Sequence, residues 1–187
     1  MSDDREGRLE DALTRCRKGD DVAFAEIVRE HQAMVFSIAW HYFQDGALAE
    51  DLAQDVFLEL YQRLSAIESA AHLLFWLRRV TTNRCIDHGR KRIRRREQAL
   101  EELPEPAAAE APSDPLLMER LRECMARLTD RQRMAVVLRY QEGLGPNEIA
   151  DVMEIPVNTV KSMLHRTLAE MRTILARKLG VIRYAIF

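Results

Sequence analysis

The stretch LTDRQRMAVVLRYQEGLGPNEIADVMEIPVNTVKSMLHRTLAEMRTIL, residues 128–175, constrains the fold more than any other part of the chain. Its apolar residues recur at helical spacing in three segments, interrupted at Gly143-Leu144-Gly145-Pro146 and again at Ile155-Pro156. The two segments after the first break read as a short helix followed by a longer one, the outline of a helix-turn-helix. In such a motif the second helix enters the DNA major groove while the first braces it. In the last helix Val157, Val160, Leu164, Leu168, Met171, Ile174 and Leu175 form the inward row. That leaves Asn158, Thr159, Lys161, Ser162, His165 and Arg166 near the outward face of the first turns, a set of donors and cations suited to base edges and phosphates. An amphipathic helix with ordinary solvated polar residues is the plain alternative.

Punctuation supports three helices here. Thr129 and Gln132 have the spacing of a capping box, Pro146 suits a first helical turn, and Pro156 lies at the start of the last helix, where a missing amide hydrogen costs little. Ahead of them, Leu116, Leu117, Leu121, Met125 and Leu128 form an apolar row that should pack on the helix after Thr129.

The first half reads as a second helical body. A short helix from Leu9 to Lys18 stops at Gly19-Asp20, with Asp20 or Asp21 capping the next. Phe24, Ile27, Val28, His31, Val35, Ile38, Ala39 and Tyr42 then hold one stripe up to Gln44-Asp45-Gly46. From Ala47, the residues Leu48, Leu52, Val56, Leu60 and Leu64 recur every four positions, leaving Glu50, Asp51, Gln54, Asp55 and Glu59 on another side. A further helix starts near Ser69. Its first half is apolar, with Trp76 expected in the core, and its second half is basic. Nine cations lie between Arg78 and Arg96, opposed only by Asp87. A solvated helix end would need fewer, so the run reads as a track for phosphates.

Between the halves, residues 97–115 (EQALEELPEPAAAEAPSDP) carry four of the six prolines, six acids and no Lys or Arg. The expected architecture is therefore all-α: small helical domains over residues 1–96 and 116–180, a flexible acidic Pro/Ala-rich linker over 97–115, and an apolar tail, residues 181–187. The linker also explains in part why a formal net charge of -2 conceals a basic tract.

Several function classes lose ground. There is no phosphate-cradling Gly-rich loop, no paired-His zinc motif and no nucleophile elbow, so the chain reads as a non-enzyme that needs no cofactor and no metal. Glu68 with His72 reads as a surface pair. Cys16, Cys85 and Cys124 are widely separated and read as reduced structural thiols. No apolar run approaches a bilayer-spanning length, and the charged start MSDDREGRLEDA is unlike a secretory signal. A cytoplasmic protein without membrane insertion is expected.

Taken together, the halves resemble the extracytoplasmic-function sigma factors of bacteria. AEDLAQDVFLELYQRL (residues 49–64) resembles the family's region-two helix, FWLRRVTTNRCIDHGRKRIRR (75–95) the helix after it, and residues 128–172 its region four. The resemblance implies binding to core RNA polymerase and promoter DNA, the first domain opening the downstream element and the second reading the upstream one. It implies that Asp51, Gln54, Asp55 and Glu59 dock on polymerase. It also implies that the connection 65–72 lies near a flipped-out base of the melted strand, with Trp76, Asn83, Asp87 and Arg90 in the helix that follows. Arg79 and Asn83 are the better candidates for the nucleic-acid side, and Arg84, Arg90, Lys91 and Arg92 of the basic run join them there. An anti-sigma partner is implied as well. Many relatives have Gly where this chain has Glu154, and Gly and Arg where it has Asn158 and Met163. The competing reading, carried by the helix-turn-helix alone, is a stand-alone transcriptional regulator whose first half senses or dimerises.

Overall fold

The computed structural model describes residues 2–99 and 115–179, with side chains described over 6–92 and 119–176. The described residues are helical and contain no strand. The chain divides into two compact units at Leu100 and Glu101.

The first unit contains α1 (Ser2–Cys16), α2 (Asp21–Phe43), α3 (Gly46–Arg63), a short 3-10 turn (Leu64–Ala66) and α4 (Ala70–Ala99). Helix α2 packs against α1, α3 and α4. Its stripe is buried from Ile27 through His31, Val35, Ile38 and Ala39 to Tyr42. Opposite it, Leu13, Leu60, Leu73 and Leu77 have no exposure. The caps follow from local chemistry. Asp20 accepts from the amides of Val22 (2.9 Å) and Ala23 (3.1 Å) and so starts α2. The Ala23 amide, then the Arg15 guanidinium, hold its carboxyl below the ordinary range. Asp45 starts α3 by accepting from Leu48 N, and Ser69 starts α4 by accepting from His72 N at 3.1 Å.

The second unit contains α5 (Pro115–Arg127), α6 (Asp130–Tyr140), α7 (Pro146–Met153) and α8 (Val157–Leu179). Met134, Leu138, Ile149 and Val160 are fully buried at its centre. The capping box of Thr129 and Gln132 forms, and Pro146 stands in the first turn of α7. Pro156 sits one residue outside α8, where its carbonyl accepts from Thr159 N at 2.8 Å. In the inward row of α8, Val160, Leu164 and Met171 are buried while Val157, Leu168, Ile174 and Leu175 are half-buried.

Helix limits differ from the sequence reading in three places. Helix α1 starts at Ser2 rather than Leu9, because a polar run with a single Gly can be helical without showing apolar periodicity. Helix α4 runs to Ala99, since Glu97-Gln98-Ala99 are good helix formers with no breaker among them. Helix α5 starts at Pro115, the position where proline costs least. Helix therefore covers both ends of the stretch assigned to the linker. The tail, residues 181–187, lies outside the described residues.

Glu154 closes α7 in the left-handed conformation, with φ 52° and ψ 47°. A side chain there costs about 1–2 kcal/mol, whereas glycine gives back roughly 0.5–1 kcal/mol through its freer unfolded state. Glu154→Gly is expected to stabilise the second unit by about 0.5 kcal/mol, a rise of roughly 2–4 °C in melting temperature for a domain of this size. Thermal melting followed by circular dichroism checks this; a fall in melting temperature contradicts it.

Candidate nucleic-acid interface and docking face

The turn before α8 is set by Glu154 and by Ile155 N donating to Ala150 O at 3.1 Å. Behind it, Arg139 donates to Leu144 O at 2.9 Å, fixing the loop between α6 and α7. Arg133 spans the α5–α6 turn, donating to the carbonyls of Met125, Ala126 and Leu128 at 3.0 to 3.4 Å. On this frame, Asn158, Thr159, Lys161, His165 and Arg166 are exposed on the first turns of α8. Ser162 is half-buried and its hydroxyl donates to Thr159 O at 3.1 Å. Its donor is therefore already committed within the helix, unlike that of an outward reader.

In the first unit, α3 and α4 enclose a polar cleft of about 950 Å³. Asp51, Gln54, Asp55 and Glu59 line it from α3, and Arg79, Asn83, Arg84 and Lys91 from α4. All four residues expected on the polymerase side thus share one cleft with four of the six expected on the nucleic-acid side. Arg84 joins the two sets directly. Its guanidinium donates to Glu59 Oε2 at 3.1 Å and 2.8 Å and to Asp55 Oδ2 at 3.0 Å. Arg63 meets the other Glu59 oxygen at 3.3 Å. Arg90 and Arg92 do not line the cleft; Arg90 is exposed, 3.8 Å from Asp87, and Arg92 is half-buried. Among the cations whose side chains are described, Arg79, Arg84 and Lys91 thus line the cleft while Arg90 and Arg92 do not, because a helix spreads consecutive residues about 100° apart. Trp76, expected in the core, is half-buried and lines the cleft. Glu68 and His72 do not pair through their side chains. Instead His72 Nδ1 accepts from the Glu68 amide at 3.2 Å.

Two features escaped the sequence reading. An apolar groove of about 920 Å³ runs between α2 and α3, lined by Phe24, Val28, Phe36, Phe57, Leu58 and Tyr61, with Gln54 shared between groove and cleft. Leu58 is 61% exposed and Tyr61 52%. Tyr61 stands edge-on to Phe24 with ring centroids 5.0 Å apart, and its hydroxyl donates to Asp21 at 3.3 Å. The available signal was a surplus: Phe57, Leu58 and Tyr61 lie off the four-residue row that α3 uses for its core. The second feature is a brace from α1. Glu10 Oε1 accepts from Ala70 N at 2.6 Å, and the Arg17 guanidinium donates to the carbonyls of Ile67 and Glu68. Together they hold the connection into α4.

Among the described residues, no group of three His, Cys, Asp or Glu is placed to hold a metal, and no helix is long and apolar enough to cross a membrane. Cys16, Cys85 and Cys124 are buried thiols, not joined in disulfides. Desolvation pushes the Cys16 and Cys85 thiols above their ordinary range, away from reactive thiolate.

Comparison with known proteins agrees with this layout. The family model of sigma-70 region 2 matches residues 27–96, and that of sigma-70 region 4 matches residues 118–171. The chain is 31% identical over 167 residues to the ECF RNA polymerase sigma-E factor of Escherichia coli K12, covering 82% of this chain and 87% of that one. It is 28% identical over 171 residues to the ECF RNA polymerase sigma factor SigW of Bacillus subtilis, covering 82% and 89%. The fold matches the sigma factor RpoE of Bartonella quintana, solved with the anti-sigma factor NepR, at a TM-score of 0.69 and 22% identity over 86% of this chain and 98% of that one. It also matches CnrH, solved with the cytosolic domain of CnrY, at a TM-score of 0.67 and 20% identity over 91% and 98%. With both regions present in order and relatives above 30% identity aligned over most of their length, the chain belongs to the extracytoplasmic-function sigma factors of the sigma-70 family.

Proposed function

We infer that this protein binds core RNA polymerase and directs it to promoters, dividing the work among three surfaces. The carrying observation is that both family regions occur in order, each on its own compact unit. Residues 116–180 read the upstream element through Asn158, Thr159, Lys161, His165 and Arg166, with Ser162 supporting the turn. Residues 1–96 dock on polymerase through Asp51, Gln54, Asp55 and Glu59, and handle the downstream element through Arg79, Asn83, Arg84, Arg90, Lys91 and Arg92. The apolar groove between α2 and α3 extends the docking face: it adjoins the acids through Gln54, and an apolar centre with a polar rim suits a protein partner.

The work is done by binding, not by covalent catalysis. Opening a base-pair step costs about 1–2 kcal/mol of stacking, which cations on phosphates and bases held in pockets offset. Weak contact by each unit suffices, because polymerase holding both makes the second contact effectively intramolecular. An anti-sigma protein is a further partner, in line with the complex of RpoE with NepR. The site of action is the cytoplasm, where polymerase and DNA are.

Reconstituted transcription tests this reading. Core polymerase plus the protein is expected to initiate at discrete promoters that neither component uses alone. Tight, sequence-specific duplex binding without polymerase, and no initiation with it, would favour the stand-alone regulator instead.

A further inference from the structure

The ion pairs in the cleft between α3 and α4 join two surfaces that the function keeps separate. Arg84 directs Nε and both terminal nitrogens at carboxylates of α3, two of them on Glu59 Oε2 and one on Asp55 Oδ2. The bonds are charge-assisted, yet the side chains remain open to replacement, 36% exposed for Arg84 and 61% for Asp55. Glu59, at 21%, also keeps Arg63 at 3.3 Å, so it remains paired when Arg84 leaves. Asn83 and Lys91 line the same cleft as Arg84. An arginine whose fork is filled by carboxylates cannot also present it to a phosphate.

We propose that Arg84 is a shared residue which couples polymerase docking to DNA binding: in the free protein Asp55 and Glu59 hold it, and cations of the docked polymerase take those carboxylates and release it to a backbone phosphate of the opened strand. Each ligand then favours the other, since the gain in affinity must be reciprocal. The pairing also keeps the acids of the docking face in place until polymerase arrives. The proposal takes the identity of the two ligands from the function inferred above. The competition itself requires only a cationic partner for α3 and a phosphate for α4.

The test is a mutant cycle on the full chain, without polymerase, using a fluorescein-labelled single-stranded oligonucleotide of mixed sequence and anisotropy between 0.05 and ~0.2 M salt, the range in which phosphate contacts show their salt dependence. Asp55→Asn with Glu59→Gln keeps side-chain shape and removes the charges that hold Arg84. The double variant is expected to bind the oligonucleotide about three- to fivefold more tightly, the scale of an exposed ion pair, with a log-log salt slope steeper by roughly 0.7. In an Arg84→Ala background that gain should vanish. A gain of the same size in both backgrounds would mean a general field effect and overturn the proposal, as would no gain at all. Glu59→Gln alone, which loosens two of the three bonds, is expected to give a smaller gain and serves if the double variant loses helicity by circular dichroism. A second arm compares Arg84→Ala with the unaltered protein on a fork-junction promoter: the loss should be at least threefold larger in the holoenzyme than in the free protein, and equal losses would again overturn the proposal. Initiation by the unaltered protein separates these failures from failure of the sigma-factor reading.

Discussion

Replacing Lys161 and Arg166 together with Ala is expected to weaken holoenzyme binding to the upstream element about 30-fold near physiological salt, and to lower the log-log salt slope by about 2. Both side chains are exposed on the first turns of α8, after a turn fixed by Glu154 and by the Ile155 amide. Each would lose a contact of about 1 kcal/mol or more, and two such losses multiply. Stability should change by less than about 0.5 kcal/mol, because neither residue is in the core. Filter binding or anisotropy of holoenzyme on a promoter duplex, repeated over a salt series, checks both numbers. An unchanged slope would remove both residues from the phosphate contacts and leave α8 a merely solvated surface there.

The largest effect on stability is expected at Leu77. Its side chain has no exposure, and it lies on α4 of the unit whose centre is α2. Leu77→Ala should cost about 3 kcal/mol, the transfer term plus the cavity left behind. A domain of this size has only about 5–15 kcal/mol in total, so the melting temperature should fall by roughly 12–24 °C. Leu58→Ala is the informative contrast. At 61% exposure Leu58 contributes little to the core, so its loss should leave melting nearly unchanged while weakening polymerase binding if the groove between α2 and α3 is used for docking. Urea titration followed by circular dichroism, with polymerase affinity measured in parallel, separates the two. Equal destabilisation at both positions would mean that the groove is structural.

What could be read from the sequence was what depends on neighbours within a turn or two. The Thr129 and Gln132 box, the Pro146 start, the Asp20 cap and the four-residue row of α3 from Leu52 to Leu64 are all local, and all form; only Leu48, at the row's start, is half-buried and lines the cleft instead. The all-helical architecture followed from the same periodicities. The arrangement of the site depended on contacts between helices. Arg84 lies 25 residues from Glu59 and 29 from Asp55, and no helical spacing connects them until α3 and α4 pack. The apolar groove was hidden because Phe57, Leu58 and Tyr61 look like ordinary members of a helix that is already rich in apolar residues. Size alone puts Trp76 in the core, whereas its position in the four-residue register with Val80, which also lines the cleft with Asn83, puts it along the cleft.

The brace from α1 changes what counts as the smallest autonomous piece of the first unit. The region-two match begins at residue 27, after α1 has ended. A fragment cut at that edge would retain every matched residue, yet it would uncover the surface that Ala12, Leu13 and Cys16 cover. It would also deprive the Ala70 amide of the Glu10 carboxylate and the carbonyls of Ile67 and Glu68 of Arg17. The connection between α3 and α4 owes its shape to side chains about fifty to sixty residues earlier. Residues that precede the region-two match thus set the geometry of a loop inside it, so that a change in α1 can reshape the loop without altering the loop's own sequence.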